Sequence, residues 1–433
     1  MIIDLTITNF RSIRDRQTLS LCAESTPNHL KNNIAYPGEG NIGVLKSCGV
    51  YGANASGKSN ILLAFEALRY IVCRSGDLKD GDEIPCYEPF KLSKSGAMEP
   101  VEFEVEFFCS GAEKKRYLYS VSFDSKSIIS ESLDFYPGRA KANLFKREKG
   151  DSWEDIKFGT HYKGGKKRIA CFENNGYLSK AGNSADSSEI IKGIYNYFRK
   201  DIFHLGVGQR VAMMDWKSDE KIVEKISSLL CHIDTGIVDV EFKDNDFNEE
   251  EINFSISLSG NIKDRISKDR IFKDRRKKAY FSHKDQSGNV VKFTEEMESS
   301  GTIKLFNTLP LLLEAFEEGG VLLLDELDNS FHPHVAEFLI SLFNTPEINI
   351  NNAQLIFTTH NINLMSPNLL RRDQIWFVEK NDGASELYSL DEYDRTKVKS
   401  NSPFRKWYEE GRFGAIPRIN KEKISEILRN KAS

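Results

Sequence analysis

Two glycines, a lysine and a hydroxyl residue recur at the spacing that cradling a polyphosphate demands in the run Gly52-Ala53-Asn54-Ala55-Ser56-Gly57-Lys58-Ser59. Glycines let backbone N–H groups close on phosphate oxygens, and the N-terminus of a following helix adds partial positive charge. Lys58 is the residue to reach the β- and γ-phosphates, and the Ser59 hydroxyl is a ligand suited to Mg2+. Asn54, Ala55, Ser56 and Asn60 complete the loop around a bound nucleotide, ATP by expectation. Against a chance Lys-Ser in a glycine-rich turn stand the flanks: an apolar-rich run from Val44 to Tyr51 before, and a helical pattern from Asn60 after.

Asp325-Glu326 directly follows the apolar run Val321-Leu322-Leu323-Leu324. A carboxylate at the end of such a strand is where a phosphate-bound Mg2+ is held, so Asp325 is the metal-side acid, with Ser59 as the second protein ligand. Glu326 points elsewhere and is the candidate general base for an attacking water. Thr358-Thr359-His360 closes a further strand, where His360 can meet the γ-phosphate. Glu298-Ser299-Ser300-Gly301-Thr302 opens a helix with small residues; read alone this is an ordinary helix cap, and beside the phosphate loop it is a second phosphate-binding element.

These groups need rigid elements to hold them. Ile2 to Ile13 and Gln17 to Leu21 read as a strand pair, and Val101 to Phe108 with Arg116 to Phe123 as an antiparallel meander continuing to about Lys167. From Ser187 to His232 the periodicity is helical, and from Val238 to Phe293 short strands alternate with a basic run. After the helix from Thr302 to Phe316, ended by Gly319-Gly320, the order is strand, helix, strand, as in α/β proteins, followed by a strand pair and a short polar helix. With 433 residues, 39% hydrophobic and 29% charged, the chain can bury one large core or two to three smaller ones. Its net charge of −4 excludes a global nucleic-acid footprint, and the seven scattered cysteines exclude a disulfide framework or a zinc ribbon. No apolar run approaches the roughly eighteen residues of a membrane span, so no membrane association and a cytoplasmic location are expected.

The ordered set GANASGKS, ESSGT, LLLDELD and FTTH resembles the ABC-type ATPase head of the SMC, RecF and OLD families. Ile7-Thr8-Asn9-Phe10-Arg11-Ser12 is similar to their first strand, and Asp325 to Pro333 to the OLD form of the Walker B strand and D-loop. Trp376 to Lys380 and Gly411 to Pro417 resemble phage-defence ATPases of the RloA/AbiL and PARIS kind. The resemblance implies an α/β P-loop head with an antiparallel β subdomain (1–185), an inserted partly helical lobe (186–290), a second head lobe (291–400) and a tail (401–433). It further implies a dimer or higher homo-oligomer that sandwiches ATP and Mg2+. There Gly52, Arg11 and Asn60 belong to the nucleotide site, Ser299, Ser300 and Gly301 reach the γ-phosphate of the other copy, Asp328 lies at the seam, and His360 is the switch. Two features depart from the family: no glutamine lies between Gln17 and Gln209 to serve as the Q-loop ligand, and the signature reads ESSGT rather than LSGGQ.

The function implied is an ATPase that senses infection and controls a separate nuclease effector, of TOPRIM or HNH type, with a nucleic acid or phage protein as trigger. The alternative is a RecF-like ATPase that binds duplex DNA through the basic stretch from Lys263 to Lys278. Arg199 to His204 has the R-x4-H spacing of HEPN ribonucleases, and Asp244-Asn245-Asp246 could imitate a nuclease metal site; both patterns are permissive.

Overall fold

A computed structural model describes residues 1–24, 29–38, 41–93, 96–109, 115–206, 219–233, 236–244, 277–329, 331–417 and 420–429. The chain opens with β1 (Ile2–Thr8) and β2 (Gln17–Ser20), the short pair β3 (Ile34–Ala35) and β4 (Val44–Leu45), then β5 (Ser47–Tyr51) and α1 (Lys58–Cys73). Next comes a meander of β6 (Val101–Phe108), β7 (Arg116–Phe123), β8 (Ile128–Phe135), β9 (Ala142–Glu148) and β10 (Lys157–Phe158). Helices α2 (Tyr177–Gly182) and α3 (Glu189–Lys200) lead into β11 (Ile202–Leu205), and α4 (Glu220–His232) into β12 (Ile237–Asp244), β13 (Lys277–Lys284) and β14 (Val290–Thr294). The last third holds α5 (Ser300–Glu318), β15 (Val321–Leu324), α6 (Pro333–Phe343), β16 (Gln354–Thr358), β17 (Ile375–Asn381), β18 (Ala384–Ser389), α7 (Phe404–Glu409) and α8 (Lys421–Arg429).

Among the described residues these strands form a central six-stranded sheet in the order β11-β15-β16-β5-β17-β18 and an antiparallel seven-stranded sheet in the order β10-β9-β8-β7-β6-β1-β2. In the central sheet every pairing is parallel except β17 with β18. Its strands are covered on both faces, which is why Val321 to Leu324 and Leu355 to Phe357 read as unbroken apolar runs. Alternate residues feed two separate cores. Val321, Leu323 and Ile356 join α1 and the antiparallel sheet, while Leu322, Leu324, Leu355 and Phe357 join α5 and α6. The antiparallel sheet instead alternates: in β6, Val101, Phe103, Val105 and Phe107 are buried and Glu102, Glu104 and Glu106 lie toward solvent.

Two sequence expectations change. The stretch Ser187–His232, read as helical throughout, contains β11, which hydrogen-bonds in parallel to β15 at the edge of the central sheet. Its four residues, Ile202-Phe203-His204-Leu205, are too few to interrupt a helical periodicity with a visible alternation of two. The stretch assigned to an inserted lobe thus contributes an edge strand to the nucleotide-binding sheet; α3, α4 and the three-stranded sheet β12-β13-β14 make up the other elements described there. The meander, expected to reach about Lys167, ends with β10 at Phe158. The basic run from Lys263 lies outside the described residues up to Arg276, as do Asn245 and Asp246 of the acidic turn; Lys277 and Lys278 open β13.

One buried side chain binds the two large sheets together. Gln354 Oε1 accepts from the Ile2 N–H at 2.8 Å, and its Nε2 donates to the carbonyls of Ile2 (3.0 Å) and Leu45 (2.8 Å). Truncating it strands a buried donor and two buried acceptors. Gln354→Ala is therefore expected to lower unfolding free energy by about 2–3 kcal/mol, read from the midpoint of urea denaturation, with the fold retained.

Candidate functional site

β5 runs out into Gly52 and the loop turns back through Ala55, at φ 60°, and Gly57, at φ 109°, into the first turn of α1. The glycines are dictated by crowding as much as by φ. A methyl group at Gly57 would overlap the hydroxyls of Ser385 and Ser12, and one at Gly52 would overlap the Val378 carbonyl. The same neighbours hold the loop: Ser385 Oγ donates to the Ser56 carbonyl (2.6 Å) and shares a hydrogen bond with Ser12 Oγ (2.7 Å), and Asn60 Nδ2 donates to Ser12 Oγ (2.6 Å).

Lys58 folds over this loop, its Nζ donating to the carbonyls of Gly52 and Ala53, each at 3.0 Å. Burial lowers the ammonium's pKa, opposed by the nearby charges of Glu326, Asp325 and Asp328. Ser59 Oγ donates to Asp325 Oδ1 at 3.0 Å, and Thr358 Oγ1 donates to the same oxygen at 2.6 Å. Thr358 Oγ1 also accepts from the Glu326 N–H (2.8 Å), so one threonine fixes both acidic residues at the end of β15. Glu326 has φ 48°, an uncommon conformation for a non-glycine residue, and its Oε2 accepts from Asn329 Nδ2 at 3.1 Å. Asp328 Oδ1 accepts from Thr359 Oγ1 (2.5 Å) and from the His360 N–H (3.1 Å), fixing the backbone where His360 emerges. The imidazole is exposed; the protein that does surround it and the Lys58 charge lower its pKa, against the pull of Asp328, Glu326 and Asp325.

Asn54, Ala55, Gly57, Lys58, Ser59, Asn60, Glu326 and His360 line one open cleft of ≈ 360 Å³, together with Ser12 and Lys380. Gly52 and Ser56 back the loop, and Asp325 stands behind Ser59. Five further expected residues are not on this lining. Arg11 is ion-paired with Glu88 and reaches Asn60 Oδ1 at 3.2 Å, one residue removed from the cleft. Ser299, Ser300 and Gly301 sit at the tip of α5, where Ser299 Oγ caps the helix by accepting from the Thr302 N–H at 3.1 Å; both serines are exposed. Asp328, expected at a seam between copies, is engaged with Thr359 and His360 of its own chain.

Four contributions escaped the sequence reading, Lys380 of the cleft lining among them. Ser12 and Ser385 are small hydroxyl residues with no spacing signal. Lys304 lies in α5 and donates to the carbonyls of Glu326 and Asn329, the latter at 2.9 Å, with its ammonium 5.1 Å from the Phe331 ring. A lone lysine within the apolar pattern of a helix was the available clue. His204 of the R-x4-H pattern is half-buried on β11, with Nδ1 3.6 Å from Glu66, while Arg199 bonds Asn196 on α3.

The donor set suits a triphosphate and Mg2+: hydroxyl and carboxylate oxygens converge beside a glycine cradle and a lysine. Among the described residues no group of three or more His, Cys, Asp or Glu side chains is placed to hold a metal ion. A family model described as "AAA domain, putative AbiEii toxin, Type IV TA system" matches residues 48–171 and 172–366. The chain belongs to this AAA family. It is accordingly an ATPase of the AAA type with an α/β P-loop fold, and among the described residues no helix is long and apolar enough to cross a membrane. No curated protein sequence matches it. Solved structures similar to this AAA-family chain include an SMC head bound to the C-winged helix domain of ScpA, at 15% identity and TM-score 0.40, covering 92% of this chain and 99% of that one. The SMC head domain from Thermotoga maritima gives 12% identity and TM-score 0.39 over 90% and 98% of the two chains. An SMC head domain with an extended coiled coil, bound to the C-terminal domain of ScpA and derived from Pyrococcus furiosus, gives 14% and 0.37 over 95% and 99%.

Because Lys304 holds the backbone of Glu326 rather than lining the cleft, its loss is expected to act on turnover and spare affinity. Lys304→Met should lower kcat for ATP about tenfold while the ATP Kd stays within about twofold, measured by phosphate release and calorimetry on one preparation.

Proposed function

We propose that this chain binds ATP with Mg2+ and hydrolyses it in a site completed by a second copy, and that the resulting cycle of closed and open assemblies controls a separate effector in defence against phage, a nuclease of TOPRIM or HNH type. One observation carries the composite-site reading. The phosphate loop, Glu326 and His360 line a single cleft with Asp325 behind Ser59, whereas the Ser299–Gly301 helix tip, to which the resemblance assigns the γ-phosphate, is off that cleft with both its serines exposed. The effector-control reading draws on the resemblance of the Trp376–Lys380 and Gly411–Pro417 stretches to phage-defence ATPases, and on a family description that names a putative toxin and a Type IV TA system.

The chemistry follows from the geometry. Lys58 exchanges the Gly52 and Ala53 carbonyls for phosphate oxygens. Ser59 and Asp325 would hold Mg2+, whose charge offsets that developing on the phosphates. Glu326, fixed by Thr358, Asn329 and Lys304, orients the attacking water and accepts its proton, and His360 faces the γ-phosphate from the end of β16. A second copy's helix tip adds N–H groups and partial positive charge that exist only in the closed assembly, so ATP shifts the equilibrium toward closure.

Lys58→Ala is expected to abolish ATP binding by calorimetry. Glu326→Gln should bind ATP, lose at least about a hundredfold in phosphate release, and accumulate as a dimer on a sizing column only when ATP is present. Hydrolysis by Glu326→Gln at the wild-type rate would contradict the assignment of the base.

A further inference from the structure

We propose that Lys380 is a second phosphate-binding cation of the cleft, delivered by the β17–β18 hairpin; this rests on the reading of the cleft as a triphosphate site. Lys380 is the one residue on the lining that comes from this hairpin. Its cross-strand partner in the ladder is Ser385, so the two side chains leave the same face of the hairpin. That face is clamped to the phosphate loop. Ser385 Oγ donates to the Ser56 carbonyl, and the Ser385 N–H donates to the Ser12 carbonyl at 2.7 Å.

The hairpin is also stiff. Asp382 and Gly383, with φ 47° and 82°, make a two-residue turn whose twist matches the strands. The strand after the turn is tied to the N-terminal strands, the Leu387 N–H donating to Gln17 Oε1 at 2.9 Å. Lys380 is therefore aimed by a rigid element while its own ammonium, among the described residues, has no hydrogen bond or ion pair.

Charge supplies the reason for a second lysine. A magnesium-bound triphosphate retains about two negative charges near neutral pH. The cleft sets Glu326 beside it and Asp325 behind Ser59, and Lys58 offsets only part of that sum. Lys380 adds positive charge at no cost in a broken ion pair and acts as a point donor to phosphate oxygen.

Calorimetric titration of the purified full chain with ATP in magnesium buffer, with inorganic tripolyphosphate as competitor, tests this. Lys380→Ala is expected to weaken ATP and tripolyphosphate alike by about tenfold, Lys380→Glu by about a hundredfold, and Lys380→Arg by no more than about threefold, with thermal midpoints unchanged. If wild type binds ATP and Lys380→Ala binds it within about twofold, the assignment is overturned while the cleft remains a nucleotide site. Loss of ATP affinity without loss of tripolyphosphate affinity also overturns it, because the contact is then not to phosphate. Failure of wild type itself to bind ATP overturns the reading of the cleft instead.

Discussion

A single carboxylate oxygen, Asp325 Oδ1, receives hydroxyl hydrogens from two directions, Ser59 at the start of α1 and Thr358 at the end of β16. Three segments far apart in sequence meet there: the phosphate loop, the strand that ends in Asp325, and the neighbouring strand that ends in His360. Parallel pairing brings the C-terminal ends of β5, β16 and β15 to one edge, where a parallel α/β sheet binds its ligands. The rest of the fold serves to keep that edge aligned. Both faces of the central sheet are sealed by separate cores, and Gln354 fastens β16 to the N-terminal strands.

The site is connected outward through α5. Lys304 holds the carbonyls of Glu326 and Asn329, so the helix that carries the Ser299 tip is hydrogen-bonded to the backbone of the proposed base. At the other side of the tip, Glu298 pairs with His283 of β13 at 2.6 Å, joining the β12-β13-β14 sheet to the same helix start. Movement of the tip is thus mechanically tied to the Glu326 backbone and to that sheet. In the proposed function, an assembly that engages the tip would have a physical route to both.

Much of this was legible in the sequence because its physics is local. The Gly52–Ser59 spacing announces a phosphate cradle, an apolar strand ending in Asp325-Glu326 needs burial on both faces, and the glutamates of β6 alternate with valine and phenylalanine. What stayed hidden depends on tertiary approach. Nothing in the local sequence of Lys380 or Ser385 tells that a hairpin late in the chain leans on the phosphate loop. β11 was masked because four residues between helical patterns carry too little periodicity. Arg11, which the resemblance assigned to the nucleotide, is ion-paired with Glu88, a partner that motif reading does not anticipate.

The central claim is that one chain holds an incomplete hydrolytic site and a second copy finishes it. Subunit mixing tests this most directly. Lys58→Ala leaves an intact helix tip beside a dead phosphate loop, and Gly301→Asp leaves an intact loop beside a spoiled tip. Each alone should be inactive, and an equimolar mixture should recover up to about a quarter of wild-type phosphate release, since half of random dimers contain one composite site. Activity that never rises above the sum of the two separate variants, in a mixture shown to exchange subunits, would contradict the account.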